Sequence, residues 1–278
     1  MSAAELIPPA ALAFDAVATR FDARFGAWES VSAQRRAVRR ELLRAFPEGS
    51  RLLELGGGTG LDARFLAERG RDVLLTDPSP AMVRAADERL RSFVAHAPRV
   101  LAAEQLDVLA DECESRDASR FDGAFSNFAA LNCVTDLAPT TRALARLLRP
   151  GATAMLVVFG TLSPGEVVVQ LARRDRAAAF RRRARGDVPA RLGGQQFTVR
   201  YHRATDLARA MAPWFRLVRR RGIGVFVPPS AAEPWISTHP RLLGMLELLD
   251  RATALPLAPF GDHVLFQFER TGAPVVRS

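Results

Sequence analysis

The chain has 278 residues, 48% of them apolar and 25% charged, a balance that excludes a disordered or collagen-like chain and is ample for a sizeable core. Its formal net charge is +9, yet it contains no lysine; all 39 cations are arginines scattered along the sequence, which argues for solvated faces and against nucleic acid as the partner. No apolar run approaches the roughly 18 residues of a membrane span, and the N-terminal MSAAELIPPA lacks the basic region of a signal peptide.

The two cysteines, Cys113 and Cys133, make neither a disulfide framework nor a metal quartet. A cytoplasmic protein without a metal site is expected. Arginine keeps its proton, so any general base must be His, Asp, Glu, Cys or the single tyrosine, Tyr201.

Charges interleave with Phe14, Val17, Phe21, Phe25, Val38, Leu42 and Leu43, predicting amphipathic helix over 14–45. Pro47 and Gly49 break it. Residues 51–55 read as a buried strand, followed by Gly56-Gly57-Gly58-Thr59-Gly60 and a helix over 62–68. Residues 72–77 form a second strand ending on Asp77. Ser79 can cap the next helix and Pro80 suits its first turn, with Met82, Val83, Ala86 and Leu90 at helical spacing. Residues 100–103 are a weak third strand, 107–120 a short helix or loop, and 121–125 a fourth strand running into Ser126-Asn127-Phe128. A helix over 137–148 stops at Arg149-Pro150-Gly151, and 152–159 is a fifth strand. Residues 161–200 are long for a crossover. A helix over 206–211, a sixth strand within 215–227, a helix centred on 242–249 and a seventh strand over 262–270 complete the chain. Strands alternating with helices predict a parallel sheet covered by helices.

The most informative segment is Glu54-Leu55-Gly56-Gly57-Gly58-Thr59-Gly60, between a strand and a helix. Its glycines permit a tight turn and close approach of backbone to a ligand. In a doubly wound sheet, Asp77 at the tip of the second strand faces a nucleoside ribose. Two ligands compete. Gly58 to Ala63 fits a dinucleotide pattern, which is weak alone. Against it, Glu54 is a poor neighbour for a pyrophosphate and a good one for an ammonium group. A ribose, an amino acid and no phosphate together describe S-adenosylmethionine.

In these residues the chain resembles the class I S-adenosylmethionine-dependent methyltransferases. Their [E/D]-x-G-x-G-x-G loop is matched by Glu54, Gly56, Gly58 and Gly60, and their second-strand acid by Asp77. Their L-x-P-G-G turn is matched by Leu148-Arg149-Pro150-Gly151, with Ala152 replacing the last glycine. The resemblance implies an α/β fold: a doubly wound, seven-stranded, mostly parallel sheet of Rossmann-like type, last strand antiparallel, with helical lid insertions. It implies that Glu54 holds the methionine end, that the three glycines approach the cofactor and that Asp77 takes the ribose. It places Met82 and Glu104 at the adenine, Asp107 being the alternative acid, and Asn127 at the methyl donor. The expected organisation is one domain: an N-terminal helical cover (1–47), a cofactor core (48–160), a lid insertion (161–200) and a sheet completion (201–278) with a second insertion (228–261).

Ligands of open α/β sheets lie outside the carboxyl ends of the strands. Both insertions leave that edge, so they and the N-terminal helix are expected to build one lid over one pocket. Of the four histidines, His96 is expected to be remote. His202, His239 and His263 are expected at the active edge, with His263 and then His202 as catalytic candidates. The arginine cluster 173–185 reads either as a solvated helix face or as a trap for an anionic acceptor. Phe21, Phe128 and Phe159 could line the sulfonium or an apolar acceptor. The expected function is methylation of a small molecule at oxygen or nitrogen; resemblance to small-molecule members implies a role in specialised metabolism. Alternatives are an RNA or protein methyltransferase, a non-catalytic nucleoside-binding partner subunit, and an NAD-linked reductase.

Overall fold

A computed structural model describes residues 7–93, 95, 97–116, 120–128 and 130–272; His96 lies outside them. The region expected as one helix over 14–45 is three: α1 (Pro9–Asp15), α2 (Ala18–Gly26) and α3 (Glu29–Ala45). Gly26, a poor helix former, closes α2. Across the two breaks the rings pack on one another, Phe14 on Phe21 at 6.0 Å and Phe25 edge-on to Trp28 at 5.1 Å. The long α3 buries Ala33, Val38 and Leu42 together with Ser30, Gln34 and Glu41.

Strand and helix then alternate: β1 (Arg51–Leu55), α4 (Leu61–Ala67), β2 (Asp72–Asp77), α5 (Pro80–Leu90), β3 (Arg99–Val100), α6 (Leu106–Ser115), β4 (Phe121–Ser126), α7 (Ala138–Leu147) and β5 (Leu148–Phe159). Ser79 caps α5, its hydroxyl accepting from the Met82 N–H at 3.1 Å, and Pro80 opens the first turn. The third strand is shorter than expected because Ala103 already begins a 3-10 turn. Pro150 ends no gap between helix and strand: α7 passes directly into β5, with the left-handed Gly151 (φ +80°) absorbing the bend.

The remaining elements are α8 (Pro164–Ala172), α9 (Arg176–Phe180), β6 (Asp187–Leu192), β7 (Gln195–Arg200), α10 (Ala204–Met211), β8 (Phe215–Ile223), α11 (Pro240–Thr253) and β9 (His263–Arg270). The sheet order is β3-β2-β1-β4-β5-β9-β8, with β9 antiparallel to both neighbours. This is the doubly wound, seven-stranded, mostly parallel sheet with an antiparallel last strand. The sixth strand stops at Ile223 because Gly224 turns left-handed (φ +67°) and the next N–H groups serve the Asp250 carboxylate, that of Phe226 at 2.6 Å.

Alternation along the strands sends successive side chains to opposite faces. Leu53, Phe121, Leu144 and Phe268 fill one layer; Leu52, Leu75, Phe125 and Met155 fill the other with Phe46 of the α3 end.

The two insertions differ from expectation. Residues 161–200 are not wholly helical: β6 and β7 pair as a separate antiparallel hairpin, turned by Gly193-Gly194 with φ of +57° and +80°. Residues 228–261 prop the outside of α3. Glu233 accepts from the Ser30 N–H at 2.9 Å and Glu247 pairs with Arg36 at 2.6 Å. Among the described residues no helix is long and apolar enough to cross a membrane.

Candidate active site

The glycine loop leaves β1 and enters α4 over the carboxyl ends of the parallel strands. Gly57 N–H donates to Thr76 O at 3.1 Å, and the Ser126 hydroxyl donates to Leu55 O at 3.0 Å, so the tips of β1, β2 and β4 are tied together. Gly58 is left-handed (φ +56°), and its N–H donates to Asp77 Oδ2 at 2.9 Å. Above this edge lies a cavity of about 360 Å³. Its floor includes Glu54, Gly56, Gly58, Asp77, Met82, Glu104 and Asn127. Gly60 is not in the lining; it starts α4 and packs against Ala86. Asp107 is also outside the lining, although Glu104, just before it, is in.

Four carboxylates of this floor differ in state for physical reasons. Glu54 is fully buried; desolvation, reinforced by the nearby Asp62, raises its pKa well above the ordinary range. Burial also pushes Asp62 up, but Arg35 and Arg39, each 2.7 Å away, outweigh it and hold the group low. Asn127 adds an Nδ2 donor at 3.0 Å. Asp77 is pushed up to about 6 by burial, against the N–H groups of Ser79 and Gly58, both at 2.9 Å. Glu104 is raised by burial.

Sequence reasoning did not find the Asp62–Arg35–Arg39 cluster. Its signal was present: an acid in the first turn of α4, and two arginines one helical turn apart on α3. It also missed two clamps from the N-terminal helices. Asp15 accepts from Ser79 Oγ (2.8 Å) and Ala81 N–H (2.7 Å). Asp22 accepts from Thr59 Oγ1 (2.8 Å) and pairs with Arg89 (2.6 Å).

The histidine candidates need correction. Neither His202 nor His263 lines the cavity. His202 is buried with Nε2 between the Leu131 and Val134 carbonyls (3.1 and 2.9 Å), and burial lowers its pKa. His263 sits one ring behind the wall, stacked on Phe159 at 4.9 Å, with Nδ1 3.0 Å from Gln34 Oε1. His239 lies at the start of α11, also away from the cavity.

Above the floor, α1, α2 and the β6–β7 hairpin contribute Phe14, Phe21, Ala190, Phe197 and Val199. Phe128, Phe159, Tyr201 and Arg181 close that side. No residue of 228–261 lines the cavity, so the expected two-insertion cover is reduced to the first insertion and the N-terminal helices. Of the arginine cluster, Arg182 is buried against Asp262 (2.7 Å) and the Phe159 ring (4.9 Å), so it is a structural group and not a solvated one.

The cavity fits an adenosyl amino acid. Glu54 Oε2 and Asn127 Oδ1 are buried acceptors without partners among the described residues, and an ammonium group brings donors. Asp77 has one N–H on each oxygen, leaving a lone pair on each for a hydroxyl. A Cβ built on Gly58 would meet no protein atom within 4 Å and would project into open space beside the lining. No group of His, Cys, Asp and Glu among the described residues could hold a metal.

Residues 53–154 match a family model described as a methyltransferase domain. Malonyl-[acyl-carrier protein] O-methyltransferase of Serratia marcescens is 31% identical over 154 residues, 55% of this chain and 54% of that protein. Ubiquinone biosynthesis O-methyltransferase of Alkalilimnicola ehrlichii is 36% identical over 116 residues, 42% of this chain and 43% of that protein. The chain thus spans about half the length of the curated relatives it matches. A solved S-adenosylmethionine-dependent methyltransferase from Mesorhizobium loti superposes with a TM-score of 0.52 at 18% identity, over 86% of this chain and 98% of that one, which establishes the shared fold. The matches thus fall on the segment that holds the glycine loop and its two acids, and residues 53–154 are similar to methyltransferase domains.

Proposed function

We propose that the chain transfers a methyl group from S-adenosylmethionine to an oxygen or nitrogen of a small-molecule acceptor. The observation that carries this reading is the pairing, in one cavity, of an unpartnered buried Glu54 oxygen with an Asp77 carboxylate held open by two backbone N–H groups. Oxygen is favoured because the two curated relatives described above are named O-methyltransferases. When bound, S-adenosylmethionine supplies an electrophilic methyl group on a sulfonium. Glu54 accepts from its ammonium group and Asp77 from its ribose hydroxyls. Met82 and Glu104 border the adenine, Asn127 Oδ1 faces the amino-acid end, and the glycine backbone approaches without side chains.

His202 and His263 are withdrawn as bases. One ring nitrogen of each is engaged inside the protein, and neither residue belongs to the cavity lining. On the aromatic side the protic groups are the Tyr201 hydroxyl and the Cys133 thiol, and burial pushes that thiol up to about 12. Alignment of acceptor and methyl group therefore carries the rate, as in other in-line displacements. The first insertion and the N-terminal helices exclude water from that alignment.

Calorimetry with S-adenosylhomocysteine and with NADH tests the reading. Saturable binding of the first and silence toward the second are expected. The reverse pattern would establish a reductase, and tight binding without turnover across a broad acceptor panel would establish a partner subunit.

A further inference from the structure

The cavity is chemically divided along the sheet. Its lining carboxylates, Glu54, Asp62, Asp77 and Glu104, come from β1, α4, β2 and the turn before α6. Rings stand apart from these in two groups: Phe14, Phe21 and Phe197 of α1, α2 and the hairpin form the roof, and Phe128, Phe159 and Tyr201 stand toward the ends of β4 and β5. Phe14 meets Phe21 and Phe197 at 6.0 Å each and Phe159 meets Tyr201 at 5.7 Å, so within each group the rings are packed and not scattered.

Two cations line the cavity. Arg35 is committed to Asp62 at 2.7 Å and lies 4.7 Å over the Phe128 ring. Arg181 is different. Its Nη2 pairs with Glu166 Oε1 at 2.9 Å, but Glu166 also meets Arg182 at 3.5 Å. A guanidinium has five donors in a planar fork, and this side chain is 45% exposed, so the N–H groups that Glu166 does not take are open to solvent and to whatever enters beside the rings.

We propose that the acceptor is an apolar, ring-bearing carboxylic acid whose carboxylate is gripped by Arg181. This rests on the methyltransferase reading and adds the substrate class. The fork of an arginine matches a carboxylate with two parallel hydrogen bonds. Arg181 and Arg182 face Glu166 and Asp262, two charges of each sign, so a single negative charge, screened by solvent at the half-exposed Arg181, is the most this side accommodates. A phosphate dianion would bring a second charge with no partner there, and burying an unpaired charge is costly. A cationic acceptor would find no carboxylate on that side.

The experiment is calorimetry on the full chain saturated with S-adenosylhomocysteine, using 2-naphthoate, 2-naphthamide and 2-naphthyl phosphate as probes. The carboxylate is expected to bind tightest, by about 10-fold or more over the amide. Arg181→Ala should remove that advantage and leave the amide unchanged, and Arg181→Lys should restore part of it. Arg183→Ala removes an equal charge that covers Phe180 outside the cavity lining, and should change nothing. Equal or tighter binding of the amide or the phosphate, failure of the carboxylate to bind, or an unchanged carboxylate affinity in Arg181→Ala would each overturn the proposal. Retained S-adenosylhomocysteine binding shows that a variant is folded; if Arg181→Ala loses it, Arg181→Lys decides. If the wild-type chain fails to bind S-adenosylhomocysteine, the methyltransferase reading falls first and takes this one with it.

Discussion

At residue scale, Asp77 shows how burial and function oppose each other. Its carboxyl is pushed up to about 6, above an ordinary value near 4. The folded state therefore holds this proton more tightly than the unfolded chain does. Its contribution to stability is full below about pH 4 and is lost as pH rises through about 6. Ligand binding has the opposite sign, because the ribose hydroxyls need the ionised form. S-adenosylhomocysteine affinity measured by calorimetry should fall as pH drops below about 6. Asp77→Asn should weaken that affinity by about 1–3 kcal/mol at pH 7.5; an unchanged value would remove the ribose role. Burial raises Glu54 well above the ordinary carboxylate range, and an incoming ammonium favours its ionised form, so binding and proton release are coupled. The binding heat should then depend on the ionisation enthalpy of the buffer. Identical heats in phosphate and Tris would contradict this.

The pair Glu54 and Asp77 was legible in the sequence because each lies at the tip of a strand, Glu54 just before the glycine turn and Asp77 before Pro78-Ser79-Pro80. The signal is local and the fold brings both to one edge. Asp62 was not, since its meaning comes from two arginines of another helix. The histidines misled because position along the sheet edge says nothing of depth. His263 begins β9 at the expected edge and is still screened by Phe159.

At element scale, punctuation decided what could be read. Ser79-Pro80 announced α5, and the cap formed. Ser79→Ala should cost about 1 kcal/mol in urea unfolding, the usual loss for such a cap, with the further loss of the bond to Asp15. The β6–β7 hairpin was equally announced, by Gly193-Gly194 between alternating residues, and was missed because the stretch was weighed as an arginine-rich insertion. Gly193 also has no room: an added Cβ would lie 3.0 Å from Ala16 Cβ and Val17 Cγ1. Gly193→Val should raise amide exchange across 187–200 and leave the exchange of β1, β4 and β5 unchanged.

At the scale of the whole molecule, the strands of the mostly parallel sheet were legible because buried parallel strands read as short apolar runs bounded by turns. The placement of 228–261 was not. It depends on Glu233, Glu247 and Ser237 finding partners on α3, a match between surfaces that no periodicity encodes. The two layers lean on rings packed between helix and sheet. Phe125 is fully buried 6.2 Å from Phe46. Phe125→Ala should cost about 3–5 kcal/mol in chemical denaturation.

The bonds of Asp15 and Asp22 to the start of α5 and to Thr59 give this architecture a built-in reporter. The segments that would greet a guest are the same ones to which the first two helices are stitched, so arrival and departure must be felt at that end of the chain. A fluorophore at the half-exposed Leu12 would register each visit in real time, without any chemistry having to occur.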